Sequence, residues 1–159
     1  MKIYEPHKSS IGNMDANVMA LLTYVSAVIL SFIPFVQYVS WLLPLIFFYL
    51  EKNSNLVKFH ALQAFALFLI FAIIDVIVNI IAGIAGAATA AAIASNPYDL
   101  NSYFGAWAGV AAASIIMGII GLIFLIFGII AMVKAYKYEE YAMPVFGKLA
   151  AKFSGKLNK

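Results

Sequence analysis

Two long apolar runs, residues 59–95 and 104–133, constrain the fold of this chain more than any other feature. As helices they would extend about 55 Å and about 45 Å, whereas the hydrocarbon core of a bilayer is only about 30 Å thick. Another apolar block, residues 18–50, precedes them and is divided by Pro34. The chain is 65% hydrophobic and 11% charged, a balance that a soluble domain of 159 residues could not bury. The sequence therefore predicts an all-α integral membrane protein.

We predict four transmembrane helices in two hairpins, with spans at about 18–33, 35–50, 57–95 and 104–133. Pro34 ends or kinks the first helix because proline lacks a backbone N–H. The first two spans are slightly shorter than a bilayer, so the alternative is a re-entrant hairpin that never fully crosses.

The second hairpin is longer than a bilayer requires. We expect it to project beyond the membrane with its tip at residues 96–102. The alternative is a steep tilt or a break near Gly83 and Gly86.

The lysines indicate the orientation. Two precede the first span, two lie between the second and third, and six follow the fourth, whereas residues 34–37 and 96–102 contain none. With four spans all ten lysines fall on one side, which the positive-inside rule assigns to the cytoplasm. We therefore predict a multi-pass protein of the cell membrane, with a cytoplasmic tail over residues 1–16, a transmembrane domain over 17–133 and a basic cytoplasmic tail over 134–159.

The basic tail has a helical pattern of its own. After Pro144 its apolar residues recur at helical spacing, and Lys148, Lys152 and Lys156 line another face. This pattern predicts a short amphipathic helix that lies in the interface and binds anionic lipid headgroups. An ordinary solvated tail is the alternative. A membrane surface explains the basic charge better than nucleic acid, which we do not expect as a partner.

Polar residues within the third span are candidate functional residues, because ionisable groups in a membrane are costly. Asp75 and Asn79 lie one turn apart on one face. They could serve helix packing, or they could relay protons or bind a cation. His60 and Gln63 lie near the cytoplasmic end of the same helix, where we expect hydrogen bonds to neighbouring loops or lipid headgroups.

The fourth span carries two stripes of small residues. One contains Gly105 and Gly109, and the other, almost opposite, contains Gly118 and Gly121. Small residues let membrane helices approach closely, so both stripes are candidate packing faces for other membrane proteins or a second copy.

The sequence indicates no enzyme. It contains no cysteine, which excludes disulfides and thiolate chemistry, and no zinc-protease, nucleophile-elbow or phosphate-loop motif. We expect no cofactor and no metal.

Several segments resemble a known family. They are residues 17–24, 48–52 and 57–63 (VKFHALQ), with a closing segment at 132–147. They resemble an uncharacterised family of small prokaryotic four-helix membrane proteins, which is similar to the plastid inner-envelope protein-import component of about twenty kilodaltons. The resemblance implies a four-helix membrane protein with cytoplasmic termini, and little about activity.

Two functional hypotheses follow. The first is a non-enzymatic membrane protein that packs its helices with partners and assists protein translocation or membrane assembly. The alternative is a small pore or ion-coupled transporter subunit that uses Asp75 and Asn79.

Overall fold

The computed structural model describes residues 2–144 and 147. The chain divides into two units, Met1–Ile70 with Leu125–Lys159, and Phe71–Phe124. The elements of the described residues, in chain order, are β1 (Lys2–Ile3), α1 (Ala16–Ser31), two 3₁₀ turns (Val36–Tyr38 and Ser40–Leu42), α2 (Leu43–Leu50), α3 (Asn55–Ser95), α4 (Leu100–Tyr136) and β2 (Glu139–Glu140).

In the first unit, α1 follows the predicted first span closely. It ends at Ser31 because Pro34, three residues later, cannot donate a helical hydrogen bond and restricts the residue before it. Asp15 occupies the N-cap position but makes no capping bond with its side chain. Its carboxylate instead pairs with Lys8 at 2.8 Å, an exposed contact of little energetic weight.

The prediction of one helix over residues 35–50 is corrected by the structure. Residues 36–42 form the two 3₁₀ turns, and only Leu43–Leu50 are α-helical. Eight residues rise about 12 Å, far less than the roughly 30 Å of a hydrocarbon core. Pro44 lies in the first turn of α2, where its missing N–H leaves no helical bond unmade.

Helices α3 and α4 agree with the predicted spans 57–95 and 104–133. Both are long and apolar enough to cross a membrane. Helix α3 continues through Gly83 and Gly86, so the alternative of a break there is wrong. Asp99 caps α4, because its carboxylate accepts hydrogen bonds from the backbone N–H of Asn101 at 3.1 Å and from the Ser102 hydroxyl at 2.8 Å.

The first unit has a polar end, which we define as residues 2–15, 51–54 and 134–144. Strands β1 and β2 pair antiparallel there, with Lys2 opposite Glu140, a small addition to the all-α prediction. The Tyr4 amide also donates to the Tyr138 carbonyl at 2.9 Å. Tyr138 has a φ of 60°, which reverses the chain between α4 and β2. The segment predicted to be an N-terminal tail is therefore packed against the residues that follow α4.

Below the polar end, the core of the first unit is built from small and medium side chains. Its cluster comprises Ala16, Met19, Ala20, Leu56, Val57 and Ala135, all buried. Alanines at the contacts let the helix backbones approach closely.

The second unit contains the facing parts of α3 and α4 that lie between Phe71 and Phe124. The rings of these two residues pack with their centroids 5.3 Å apart. A Cβ added at Gly121 would lie 4.0 Å from the Phe71 ring, so this glycine faces α3. Most other large apolar side chains of this unit are exposed, as expected for helices that face lipid.

The predicted amphipathic helix, with Lys148, Lys152 and Lys156, lies outside the described residues.

Candidate functional site

His60 is the centre of a buried hydrogen-bond network in the first unit. Its Nδ1 lies 3.1 Å from the Tyr24 hydroxyl, and its Nε2 lies 3.0 Å from the Glu139 carbonyl oxygen. The Gln63 amide nitrogen donates to the Tyr24 hydroxyl at 3.2 Å. The Gln63 amide oxygen accepts from the Met143 backbone N–H at 3.1 Å. We call these five groups the His60 network.

The direction of every bond in the His60 network is determined by chemistry. A carbonyl oxygen can only accept, so His60 Nε2 carries the proton and donates to Glu139. In the neutral ring Nδ1 is then an acceptor, and the Tyr24 hydroxyl donates to it. The Tyr24 oxygen in turn accepts from Gln63. Each polar group in the network is therefore satisfied.

The His60 network is important for stability because its side chains are buried. His60 and Gln63 have no exposed surface, and Tyr24 is 1% exposed. An unpaired polar group in such a place costs about 1–3 kcal/mol, so each member needs the others. The network therefore fixes residues 139–143 against α1 and α3. The sequence singled out His60 and Gln63 but missed Tyr24, whose only local signal is its place on the buried face of α1 with Ala16, Ala20 and Ala27.

Glu51 is a second centre, at the polar end. Its carboxylate is 2% exposed and accepts hydrogen bonds from the hydroxyls of Ser9 and Ser10. It also accepts from three backbone amides, those of Ser10 at 3.1 Å, Asn53 at 2.8 Å and Ser54 at 2.9 Å. The carboxylate thus ties the N-terminal segment to the loop before α3. The sequence does not indicate this role, because Glu51 is one charge in a short polar segment, residues 51–54, between two apolar runs.

These hydrogen bonds determine the protonation of Glu51. Burial by itself raises the pKa of the carboxyl group, but the bonds from Ser9, Ser54 and Ser10 outweigh it and lower the pKa from 4.5 to about 2. Glu51 is therefore ionised throughout the physiological range.

Further contacts connect the segments of the polar end to one another. Ser54 caps α3 by accepting from the Val57 amide at 3.3 Å, and its Oγ lies 2.7 Å from Nε2 of His7. Tyr4 donates to Glu140 at 2.7 Å, and burial together with that carboxylate raises the pKa of the Tyr4 hydroxyl. Lys134 pairs with Glu139 at 2.7 Å.

Asp75 and Asn79 do not form a side-chain pair. The Asn79 amide donates to the backbone carbonyl of Asp75 at 2.8 Å, inside the same helix. Asn79 is exposed and Asp75 is half-buried. The structure thus places both within the second unit, away from the His60 network in sequence and in bonding.

The predicted glycine faces differ in their surroundings. A Cβ added at Gly105, Gly109 or Gly118 would meet no atom within 4 Å, so these positions border open space. Gly121, in contrast, faces Phe71. The described part of the chain contains no group of three or more His, Asp or Glu residues that could hold a metal ion.

Two long apolar helices with exposed apolar surfaces, joined at one end by a buried polar network, define a helical membrane protein. The chain belongs to the magnetosome magnetite crystal formation protein family (MamF/MmsF), whose sequence model matches residues 15–150. This membership confirms a family of small prokaryotic membrane proteins, but it lends no support to the likeness with the plastid import component. No curated protein and no solved structure matches the chain.

Proposed function

We propose that this protein is a non-enzymatic membrane component that packs its long helices against other membrane-protein helices. In the setting that the family description gives, this assembly contributes to magnetite crystal formation. The family match, over residues 15–150, is the observation that carries the proposal.

The exposed surface of the second unit supports a role in assembly. Gly105 and Gly109 lie one turn apart on α4 with open space around them, and large apolar side chains such as Trp107 and Val110 are exposed nearby. Without a hydrophobic force between helices in lipid, association depends on close backbone approach, which small residues allow. The surface around Gly105 and Gly109 would allow a neighbouring helix in the same membrane to approach closely.

The proposed orientation places the polar end in the cytoplasm and the α3–α4 tip on the opposite side. The distribution of the lysines supports it, because residues 96–102 contain none. In this orientation both chain termini are cytoplasmic.

Replacing Gly109 by leucine is expected to weaken assembly about tenfold. Overpacking a close contact costs about 1–3 kcal/mol, and 1.4 kcal/mol is a factor of ten. The measurement is the yield of crosslinked complexes in native membranes, together with magnetite crystal size by electron microscopy. Both should fall at unchanged protein level.

Ala111→Leu is the matched control, because it places a leucine on the opposite face of α4 and should change neither readout. Deletion of the gene should reduce crystal size or number in the organism that encodes it. Unchanged crystals after deletion would remove the magnetite role, and equal effects of the two leucine variants would remove the packing face.

The pore alternative makes a separate prediction. Because the Asn79 amide is engaged by the Asp75 main chain, the two side chains present no joint site, and Asp75→Asn should leave cation flux in proteoliposomes unchanged. Asn79→Ala is the companion variant. A several-fold loss of flux in Asp75→Asn, without loss in a neutral change such as Ile73→Val, would favour the pore instead.

A further inference from the structure

We infer that residues 32–42, which we call the apex of the α1–α2 hairpin, form a surface for lipid acyl chains and end inside the hydrocarbon core. The hairpin then enters and leaves the membrane on one side, and only α3 and α4 cross it. This inference is independent of the proposed function.

The apex has ten backbone N–H groups, and six of them donate to backbone carbonyls of the α1–α2 hairpin. Its amides donate to carbonyls three or four residues earlier, in the pairs Phe32 to Ile29, Ile33 to Leu30, Gln37 to Ile33, Tyr38 to Phe35, Val39 to Val36 and Leu42 to Val39. Pro34 has no N–H to satisfy. Hydrocarbon offers no partner for a backbone N–H or C=O group, so these bonds lower the cost of placing the apex in the membrane at these positions.

Three polar side chains at or beside the apex donate to the same backbone. Ser31 donates to the Val28 carbonyl at 2.6 Å, Ser40 to Gln37 at 3.0 Å, and the Trp41 indole N–H to Tyr38 at 2.8 Å. These bonds satisfy the two hydroxyl donors and the indole donor, and they give the three carbonyl oxygens a partner.

Most of the exposed surface of the apex is apolar, and its exposed polar side chains are those of Gln37 and Tyr38. Phe32 is 82% exposed and Phe35 is 86% exposed, and Val39 lies beside them at 54%. Residues 16–50 contain no charged residue, and the nearest charges along the chain, Asp15 and Glu51, belong to the polar end. Hydrocarbon is the partner that fits a mostly apolar, uncharged surface whose backbone N–H groups are largely bonded.

The depth of the apex follows from contacts within the first unit. The Trp41 ring packs on Phe65 with centroids 5.9 Å apart. Phe65 lies ten residues after Asn55, or roughly 15 Å along α3. The returning limb, Ser40–Leu50, rises only about 18 Å as a 3₁₀ turn followed by α2. Since a full crossing needs about 30 Å, a limb of this length reaches from the polar end only part of the way across the membrane.

Cysteine labelling tests the inference directly, because the chain has no cysteine of its own. In sealed vesicles of known orientation, Gln37→Cys should react with a membrane-impermeant maleimide from neither side, and should react once detergent dissolves the membrane. Asn53→Cys in the polar end and Asn101→Cys at the start of α4 are the controls, each expected to react from one side without detergent. The detergent step shows that the thiol of Gln37→Cys is exposed on a folded protein.

Two labelling results would overturn the inference. Reaction of Gln37→Cys from the side opposite Asn53→Cys would mean that the hairpin crosses. Reaction from the same side as Asn53→Cys would mean that the apex lies outside the bilayer.

The two tryptophans provide a second measurement of depth. In Trp107→Phe the fluorescence reports on Trp41 alone, and lipids brominated near the middle of their acyl chains should quench it more than lipids brominated near the headgroup. In Trp41→Phe the same series reports on Trp107 for comparison. Stronger quenching of Trp41 by the headgroup-proximal bromines would overturn the inference even if the labelling variants failed to fold.

Discussion

Replacing His60 by alanine is expected to lower the free energy of unfolding of the first unit by about 3 kcal/mol or more. The change leaves the Tyr24 hydroxyl without its acceptor and the Glu139 carbonyl without its donor, each a loss of about 1–3 kcal/mol. It also opens a cavity where a fully buried ring had been, for which large-to-small changes typically cost about 2–5 kcal/mol. These contributions overlap, so their sum is an upper bound.

Hydrogen exchange of the Met143 amide gives a local measurement, because this N–H donates to Gln63 within the network. A loss of about 3 kcal/mol should speed its exchange about a hundredfold in detergent-solubilised protein. Tyr24→Phe, which removes one hydroxyl without a large cavity, should give a smaller increase.

His7→Ala is the matched control, since His7 belongs to the same unit and also makes two hydrogen bonds but is only half-buried. Its effect on Met143 exchange should be slight. If His60→Ala and His7→Ala changed the exchange equally, the network would not hold residues 139–143 in place.

Replacing Glu51 by alanine is expected to cost about 3 kcal/mol. The change removes the shared acceptor of five donors, three of which are backbone amides of Ser10, Asn53 and Ser54. Hydrogen bonds to a charged group are worth about 1.5–3 kcal/mol each, although bonds that share one acceptor are not additive. Glu51→Gln keeps an accepting oxygen for the amides and should cost less.

The pH dependence of stability follows from the lowered pKa of Glu51. Because the folded pKa is about 2 and the ordinary value is 4.5, the carboxylate contributes its full stabilisation above pH 4.5 and loses it as the pH falls toward 2. The difference between the two values corresponds to about 3 kcal/mol. Thermal unfolding in detergent should therefore show a steeper loss of stability below pH 4.5 in the unaltered protein than in Glu51→Gln.

Other acids also titrate in this range, so the comparison with Glu51→Gln isolates the contribution of this one carboxylate. Parallel curves for the two proteins between pH 4.5 and pH 2 would contradict the role assigned to Glu51.

The two centres have a common consequence. Glu51 joins the N-terminal segment to the loop before α3, and the His60 network joins α1 and α3 to the segment after α4. The N-terminal segment and the segment after α4 are thereby held in place at the polar end. Residues 1–16 had been predicted to form a tail. A partner that approaches this end would meet a structured surface.

The sequence by itself determined the membrane class and the long helices. Their apolar runs have few charges and no internal proline, so α3 and α4 needed only local propensity and length to be predicted within a few residues. The Ser54 cap of α3 is a local feature of the same kind, because capping depends on residue type and position.

Only the tertiary structure decided what His60, Gln63 and Glu51 do. The partners of His60 and Gln63 lie 36 to 80 positions away in sequence, and Ser9 and Ser10, which bind Glu51, lie 42 and 41 positions away. Hydrogen bonding between such distant residues depends on how the helices pack, which no local pattern specifies. Packing between distant residues also bears on residues 36–42. A short apolar run can form a helix or a turn, and here the turn occurs together with the packing of Trp41 against Phe65.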